Sequence, residues 1–329
     1  MKTERFTEKE IEKAAELIRK GGLVAFPTET VYGLGANALD EAAVSKIYKA
    51  KGRPSDNPMI VHISHISELD DLVLEIPHQI KQIMNEFWPG PITFILKKKD
   101  IVPSITTGGL DTVAIRMPRS KVARELIKSS GVPIAAPSAN SSGKPSPTNW
   151  QDVLEDMEGR IDGIIMGSDS DVGIESTVLD CTAGKFTILR PGFITAEMLQ
   201  SKFNIEVENG QGIFEKNLIS KPKSPGMKYK HYAPKADVKI IIGDRTEEVL
   251  KEEKDKAKQT DLKIAELNYN GDSRLAAHNF FTDLREADRA GVDIIFVIGL
   301  EAKELGYSVM NRMVKSAGYQ IIKADEEKI

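Results

Sequence analysis

Short apolar runs that end in polar, turn-forming residues constrain the fold of this 329-residue chain more than any other feature. In the N-terminal part the runs are LVAF (23–26), MIVHI (59–63), ITFIL (92–96), TVAIR (112–116), PIAA (133–136), GIIM (163–166), STVLD (176–180) and FTILR (186–190). Runs of this length, bounded by turn residues, predict buried strands. Because helical patterns separate only some of them, we expect a mixed sheet rather than a purely parallel one.

Helix signals lie between several of these runs. Thr7 and Glu10 form a capping box next to an apolar pattern of helical period, which stops at Gly21-Gly22. Asp40 is placed to cap a second helix, and Pro77 suits the first turn of a third. Residues 1–203 are therefore predicted to form one α/β domain with loops at the strand ends.

The pattern changes near residue 203. Residues 204–235 carry few periodic signals and are rich in Lys, Pro and Gly, which predicts a linker long enough to have a function. Residues 236–329 alternate apolar runs with helical patterns over 246–259, 274–290 and 301–317. This alternation predicts a smaller domain with a parallel, Rossmann-like sheet.

Composition narrows the classes of function. Cys181 is the single cysteine, which excludes an internal disulfide and a multi-cysteine zinc site and favours a reducing, cytoplasmic setting. No apolar run approaches the ~20 residues of a membrane span, so we expect no membrane association. The net charge is −4, so an anionic partner must be held by a local cationic patch.

The familiar phosphate-binding motifs are missing. The string nearest to a P-loop, SGKPSP (142–147), has proline where the hydroxyl residue should stand. Gly33-Leu34-Gly35 followed by Ala38 is a loose dinucleotide fingerprint, which we place in a loop rather than at the start of a helix. A site for phosphate would have to be built from other parts.

Polar groups collect instead at the ends of the predicted strands. TVAIR ends at Arg116, FTILR ends at Arg190, and the hydroxyl-rich PSANSSGKPSPT follows PIAA. A buried arginine requires a partner, so either each meets an internal carboxylate or the two converge on an anionic ligand.

A cationic stretch, KAKGRPSDNP (49–58), adds Lys51 and Arg53. Taken alone, such a stretch is typical of a solvated turn. Together with the strand-end arginines and hydroxyl groups, it favours a cleft in the first domain that binds a nucleotide or another polyanion.

Several strings, in order along the chain, resemble the YrdC-like threonylcarbamoyl-AMP synthases. They are PTETVYGLG (27–35), KAKGRPSDNP (49–58), WPGPIT (88–93), TVAIRMP (112–118), PIAAPSANSSGKPSPT (133–148), ESTVLD (175–180) and ILRPG (188–192). SPGMKYKHYAP (224–234) and the small domain after it are similar to the longer, two-domain form of that family. The resemblance covers essentially the whole chain and implies a twisted mixed sheet followed by a Rossmann-like domain.

The resemblance also implies a reaction. L-threonine, bicarbonate and ATP would give L-threonylcarbamoyladenylate and pyrophosphate, with Mg²⁺ held mainly by the ATP phosphates and no protein ligand assigned to it. A downstream tRNA threonylcarbamoyl transferase machinery would then modify tRNA, so the contact of this chain with tRNA is expected to be indirect or weak.

Particular residues match positions where the family holds its substrates. The threonine positions are Thr30, His62, Arg116, Ser176 and the Ala136 backbone, and the ATP positions are Arg53, Asn57, Thr112, Ser138, Ser146 and Arg190. Lys51 and Arg53 are the candidates for catalytic charge, with Lys51 facing either the phosphates or the carboxylated amine. Tyr232, rather than Tyr229, is expected to close over the nucleotide as part of a lid formed by residues 204–235.

Other interpretations compete with this one. A tRNA-binding module without catalysis would need an extended basic face, which the net charge of −4 does not favour. A domain from a hydrogenase-maturation protein would bring zinc-finger-like segments, which a single cysteine rules out. The linker can also be a passive tether.

Overall fold

The computed structural model describes residues 2–210, 212–214 and 231–325. These residues divide into two units, the first made of 2–142 and 146–210, and the second made of 143–145, 212–214 and 231–325. Tyr229, one of the two tyrosines considered for the lid, lies outside the described residues, as does most of SPGMKYKHYAP.

The first unit combines a large sheet with seven helices among its described residues. Its strands are β1 (Glu4–Thr7), β2 (Val24–Phe26), β3 (Gly33–Asn37), β4 (Ile60–His62), β5 (Ile92–Lys97), β6 (Thr112–Arg116), β7 (Ile134–Ala135), β8 (Gly163–Met166), β9 (Thr177–Asp180), β10 (Phe186–Arg190) and β11 (Val207–Asn209). Its helices are α1 (Ile11–Arg19), α2 (Glu41–Lys51), α3 (Leu69–Leu72), α4 (His78–Phe87), α5 (Lys121–Ser130), α6 (Trp150–Met157) and α7 (Ala196–Phe203).

The sheet of the first unit is mixed, which confirms the prediction. Its strand order is β1-β8-β2-β3-β7-β4-β6-β5-β9-β10-β11. Parallel pairs such as β4–β6 and β5–β9 alternate with antiparallel pairs such as β5–β6 and β9–β10. Each apolar run named above contributes one of these strands, and the buried side chains between sheet and helices form the main core.

Local sequence signals explain several helix starts. Asp40 caps α2 through its side chain, which accepts hydrogen bonds from the backbone N–H groups of Ala42 and Ala43. The Thr7–Glu10 capping box is present and begins a short 3-10 turn that leads into α1. The helix signals at Thr7 and Asp40 are thus confirmed.

Gly33-Leu34-Gly35 forms part of a strand, so its placement in a loop was wrong. It lies in β3, which pairs antiparallel with both β2 and β7. A Cβ atom on Gly35 would meet side-chain atoms of Ile134 and Phe26 at 2.8 Å. The glycine is therefore needed for close packing of neighbouring side chains, a role unrelated to phosphate binding.

The second unit contains a separate parallel sheet. Its strands are β12 (Asp237–Ile242), β13 (Ile264–Leu267), β14 (Ile294–Ile298) and β15 (Ile321–Lys323), and its helices are α8 (Thr246–Lys258), α9 (Ser273–Arg289) and α10 (Glu304–Ser316). The strand order β13-β14-β12-β15 and the parallel pairing confirm the Rossmann-like prediction. In the described residues, no helix is both long enough and apolar enough to cross a membrane.

Candidate active site

One edge of the large sheet gathers the ends of four neighbouring strands. β6 ends at Arg116 and β10 ends at Arg190, whereas β9 begins directly after Ser176. Because β5 and β9 are parallel to each other and antiparallel to β6 and β10 respectively, the starts of the first pair lie beside the ends of the second pair. Both strand-end arginines therefore lie at the same edge of the sheet.

Arg116 is buried and meets an internal carboxylate, one of the two outcomes that the sequence left open. Its Nη2 lies 2.7 Å from Oε1 of Glu29, and both side chains are almost fully buried. Its Nη1 donates a hydrogen bond of 2.9 Å to the hydroxyl of Thr30, and its Nε donates to the Gly90 carbonyl at 3.3 Å. Arg116 and Thr30, two of the residues predicted to bind the substrate threonine, are thus in direct contact.

His62 lies next to this group in a neutral form. It is the register partner of Arg116 on the adjacent strand β4, and its ring packs edge-on against Phe26. Burial, and then the charge of Arg116, lower the pKa of His62 to about 3. A neutral imidazole can orient a ligand through hydrogen bonds, but it supplies no charge for a carboxylate.

Ala136 lies beside the same strands. Its backbone N–H donates to the Ile60 carbonyl at 2.9 Å, which places it next to the start of β4. The structure therefore brings Thr30, His62, Arg116 and Ala136 together around β4, β6 and β7.

Ser176, which is predicted to bind threonine, contacts Arg190, which is predicted to bind ATP. Arg190 donates from Nε to the Ser176 carbonyl at 3.0 Å and from Nη2 to the Ser176 hydroxyl at 3.1 Å. That hydroxyl also shares a hydrogen bond of 2.8 Å with Thr93 on β5. Gly192 permits this approach, since a Cβ there would lie 2.3 Å from the Thr177 nitrogen.

Lys51 reaches into the hydroxyl-rich loop after β7. Its ammonium group is buried and donates to the carbonyl of Ser138 and, at 2.5 Å, to that of Asn140. The Ser138 hydroxyl in turn donates to the Asn140 side-chain oxygen at 2.5 Å. Lys51 therefore holds the shape of the loop that carries Ser138.

Arg53 and Asn57 lie on the turn that follows α2. Nη2 of Arg53 donates to the carbonyls of Pro58 at 3.0 Å and Asn57 at 3.3 Å. Asn57 is buried, and its side-chain oxygen has no hydrogen-bond partner among the described residues. A buried acceptor without a partner is costly, so this oxygen is suited to a donor on a ligand.

The remaining predicted ATP residues are spread more widely. Ser146 is buried, and its hydroxyl donates to Oε1 of Glu175 at 2.6 Å, next in sequence to Ser176. Thr112 begins β6 whereas Arg116 ends it, so about 13 Å of strand separate the two at ~3.3 Å per residue. An extended ligand would be needed to reach both ends of that strand.

Tyr232 belongs to the second unit. Its ring is buried, with its centroid 5.1 Å from that of Phe281 and 5.6 Å from that of His231, and the Arg312 guanidinium lies 5.9 Å from it. The other predicted ATP residues belong to the first unit. The role of Tyr232 toward ATP stays a prediction.

Two carboxylates in the site were not assigned a role from the sequence. Glu29 pairs with Arg116, and Glu175 accepts from Ser146. The signal available for both was their position, because each lies beside a predicted site residue in a short polar string, PTET or GIEST. Carboxylates at strand ends are common, so position alone could not separate them from surface residues.

No cluster of His, Cys, Asp or Glu suited to holding a metal ion occurs in the residues that the structure describes. The arginines, hydroxyl groups and buried carboxylates are suited to small charged ligands. Such side chains at the strand ends of a mixed sheet are typical of the class of α/β proteins that bind ligands there.

Comparison with known proteins narrows this class. Residues 16–192 match the Sua5/YciO/YrdC family model, described as "Telomere recombination", and residues 194–318 match "Threonylcarbamoyl-AMP synthase, C-terminal domain". The chain is 47% identical over 333 residues to the threonylcarbamoyl-AMP synthase of Pyrococcus abyssi, with 97% of each chain covered. It is 44% identical over 330 residues to that of Bacillus subtilis, which covers 95% of this chain and 94% of the relative.

A solved structure shares the whole fold. The crystal structure of P. abyssi Sua5 complexed with L-threonine matches with a TM-score of 0.92 and 45% identity, covering 98% of this chain and all of that one. The chain belongs to the threonylcarbamoyl-AMP synthase family.

Proposed function

We propose that this chain transfers an adenylyl group from ATP to N-carboxy-L-threonine, producing L-threonylcarbamoyladenylate and pyrophosphate. The observation that best supports the proposal is the position of Ser176, which is bonded to Arg190 at the sheet edge where Arg116 also ends its strand. Ser176, proposed for threonine, and Arg190, proposed for ATP, are thus in contact at the edge of the first unit where β6 also ends.

The first step requires no covalent group on the protein. The ammonium group of threonine first gives up one proton to solvent, and the resulting neutral amine then forms a bond to the carbon of bicarbonate while one water is released. The product is a carbamate anion. Arg116 would bind the carboxylate of threonine, because a guanidinium presents paired donors that match a carboxylate. Thr30 and Ser176 supply hydroxyl groups nearby.

In the second step a carbamate oxygen attacks the α-phosphorus of ATP. A phosphorus–oxygen bond forms to the carbamate, and the bond to the departing pyrophosphate breaks. Two anions must approach each other, so fixed positive charge and donors aimed at the phosphates would stabilise the transition state. Arg53 and Arg190 would supply that charge, while Lys51 would act directly or by holding the loop of Ser138.

The adenine end of ATP needs a different kind of contact. The partnerless, buried side-chain oxygen of Asn57 is suited to the exocyclic amine of the base. Thr112, at the far end of β6 from Arg116, would contribute to an extended ATP site. Mg²⁺ would enter with the phosphates of ATP, which neutralises part of their charge.

The product implies a partner. A mixed anhydride of a carbamate and a phosphate hydrolyses readily, so a transferase that carries the threonylcarbamoyl group to tRNA must take it up promptly. The chain itself needs no direct contact with tRNA for this role.

A direct assay tests the proposed function. Purified protein would be incubated with L-threonine, bicarbonate, ATP and Mg²⁺, and pyrophosphate and the adenylate would be measured by mass spectrometry. We expect both products only when all substrates are present. Release of pyrophosphate without threonine or bicarbonate would contradict the proposal.

A variant pair assigns the activity to the site. Arg190→Met should lower the rate by about 10²–10³, the usual effect of losing one donor to a developing anion. Lys185→Met is the matched control, because Lys185 directly precedes β10, at the end opposite Arg190, and is exposed in a surface ion pair with Glu208. Its rate should equal that of the unaltered protein.

A further inference from the structure

We propose that Glu29 binds the ammonium group of the amino-acid substrate while Arg116 binds its carboxylate, so that the pair selects a zwitterion. The inference rests on the proposed function, since it states which groups of threonine the site recognises. It assigns Glu29 as a further substrate-binding residue.

The two side chains are in close contact and are shielded from solvent. Oε1 of Glu29 lies 2.7 Å from Nη2 of Arg116, with 3% and 4% of the respective side chains exposed. The backbone of Glu29 is fixed as well, because its carbonyl accepts from the Val172 N–H at 2.8 Å. The carboxylate is therefore held at a defined position next to the guanidinium.

Both charged atoms have unused hydrogen-bonding capacity. Neither Glu29 Oε1 nor Arg116 Nη2 has a hydrogen-bond partner beyond their mutual ion pair among the described residues. The second oxygen of Glu29 accepts a long bond, 3.4 Å, from the Ser120 N–H, and backbone groups at Arg119 and Glu29 also contribute to the carboxylate. Buried charges are costly unless several hydrogen bonds satisfy them, so the ligand-free pair lacks contacts that a ligand can supply.

An α-amino acid supplies the missing contacts for both partners. Its carboxylate and ammonium groups sit on the same carbon, so they can face Arg116 and Glu29 together and complete an alternating arrangement of four charges. A ligand with a carboxylate alone would satisfy Arg116 but would be repelled by Glu29.

The charge state of Glu29 agrees with this role. Burial acts to raise the pKa of the Glu29 carboxyl, but the charge of Arg116 and its hydrogen bonds hold it below its ordinary value. Glu29 thus stays anionic at neutral pH and attracts a cation. Once the amine is carboxylated its positive charge is gone, and Glu29 repels the carbamate formed in its place.

The test compares two ligands that differ in the amine alone. L-threonine and (R)-3-hydroxybutyrate share the carboxylate and hydroxyl, and their affinities would be measured by calorimetry on the full-length protein. We expect the unaltered protein to prefer L-threonine by about tenfold or more, the effect of one charge-assisted hydrogen bond. Equal binding of the two ligands would overturn the inference without any variant.

Glu29→Gln should weaken the binding of L-threonine but leave the binding of (R)-3-hydroxybutyrate unchanged or tighter. The preference for L-threonine should therefore be lost. Because both ligands are measured on one sample, partial loss of folded protein does not change the ratio of the two affinities. Glu29→Asp keeps the charge and should retain part of the preference. Asp171→Asn is the matched control, since Asp171 is exposed, pairs with Arg119 and precedes Val172.

The outcomes separate the inference from the proposed function. If Glu29→Gln weakens both ligands equally, Glu29 only positions Arg116 and the inference is wrong. If the unaltered protein makes the adenylate but shows no preference for the amine, the inference alone fails. If it neither binds L-threonine nor makes the adenylate, the proposed function itself fails.

Discussion

At the scale of single residues, Arg116 shows how a buried charge serves both stability and binding. Its ion pair with Glu29 is nearly free of solvent, and removal of one partner leaves the other charge buried without compensation. An effect on binding must therefore be separated from an effect on folding.

Arg116→Met should lower the free energy of unfolding by about 3–5 kcal/mol, because Glu29 remains buried as an uncompensated charge. It should also weaken the binding of L-threonine by about 2–5 kcal/mol, since the substrate carboxylate loses its partner. Urea unfolding and calorimetry measure the two quantities.

The double variant Glu29→Gln/Arg116→Met separates these effects. It should recover part of the stability, because no uncompensated charge is left, but it should not recover threonine binding. If the double variant binds threonine as the unaltered protein does, Arg116 has no role in binding.

His62 makes the stability of the folded chain depend on pH. Its pKa is lowered from 6.5 to about 3 in the folded chain, so between these values the unfolded chain binds a proton that the folded chain does not. Stability due to His62 is complete above its unfolded pKa and is lost progressively as the pH falls toward the folded value. The loss between about pH 7 and pH 5 should be about 2 kcal/mol, at ~1.4 kcal/mol per pH unit.

His62→Gln should remove that contribution. Urea midpoints measured across the same pH range should fall less steeply for this variant than for the unaltered chain. The exposed His65, three residues away, provides the control variant His65→Gln, whose slope should match that of the unaltered chain. Identical slopes for all three proteins would show that His62 is not buried in neutral form.

The sequence showed that buried arginines at these positions need partners, but it did not show which residues the partners are. Arg116 and Arg190 end apolar strands, so their need for a partner was evident from the pattern. Glu29 could not be assigned to Arg116, since the two are far apart in sequence and meet only through the pairing of several strands. Such a pairing depends on strand order, which local patterns do not specify.

At the scale of elements, local patterns predicted what local physics determines. The apolar runs form strands, and the Asp40 cap and the strand-helix alternation of the second unit were also confirmed. Gly33–Asn37 was missed because a strand containing two glycines lacks the side chains that mark strands. Glycine is needed in this strand because Phe26 and Ile134 pack closely over Gly35.

The contact between α2 and the loop after β7 is the element-level feature closest to the site. Lys51 ends the helix and donates to carbonyls of Ser138 and Asn140, while the Ser142 N–H donates to the Lys51 carbonyl at 2.9 Å. The helix end and the loop therefore order each other.

Lys51→Met should cost about 1.5–3 kcal/mol of stability, because hydrogen bonds from a buried charged donor to two backbone carbonyls are lost. It should also raise the KM for ATP, since the loop carrying Ser138 loses its shape. Lys49→Met is the control on the same helix, where the lysine is exposed. An unchanged KM in Lys51→Met would show that the loop holds its shape without the lysine.

At the scale of the whole molecule, the chain carries separate hydrophobic cores. The first unit buries residues such as Phe94 and Ile115 under its mixed sheet, and the second buries Ile241 and Phe296 around its parallel sheet. The domain boundaries at 1–203, 204–235 and 236–329 remain our proposal, and β11 (Val207–Asn209) lies within the proposed linker.

Separate cores imply separate cooperative units, which a pair of matched substitutions can test. Phe94→Ala and Phe296→Ala each remove a fully buried ring and should each cost about 3–5 kcal/mol. We expect two transitions in calorimetric unfolding of the full chain, with each substitution lowering the midpoint of a different one. A chain of residues 231–325, which includes Tyr232 against Phe281, should unfold cooperatively by itself and should respond to Phe296→Ala in the same way. A single transition lowered equally by both substitutions would mean that the two sheets unfold as one body, and the division into two units would then have no thermodynamic meaning.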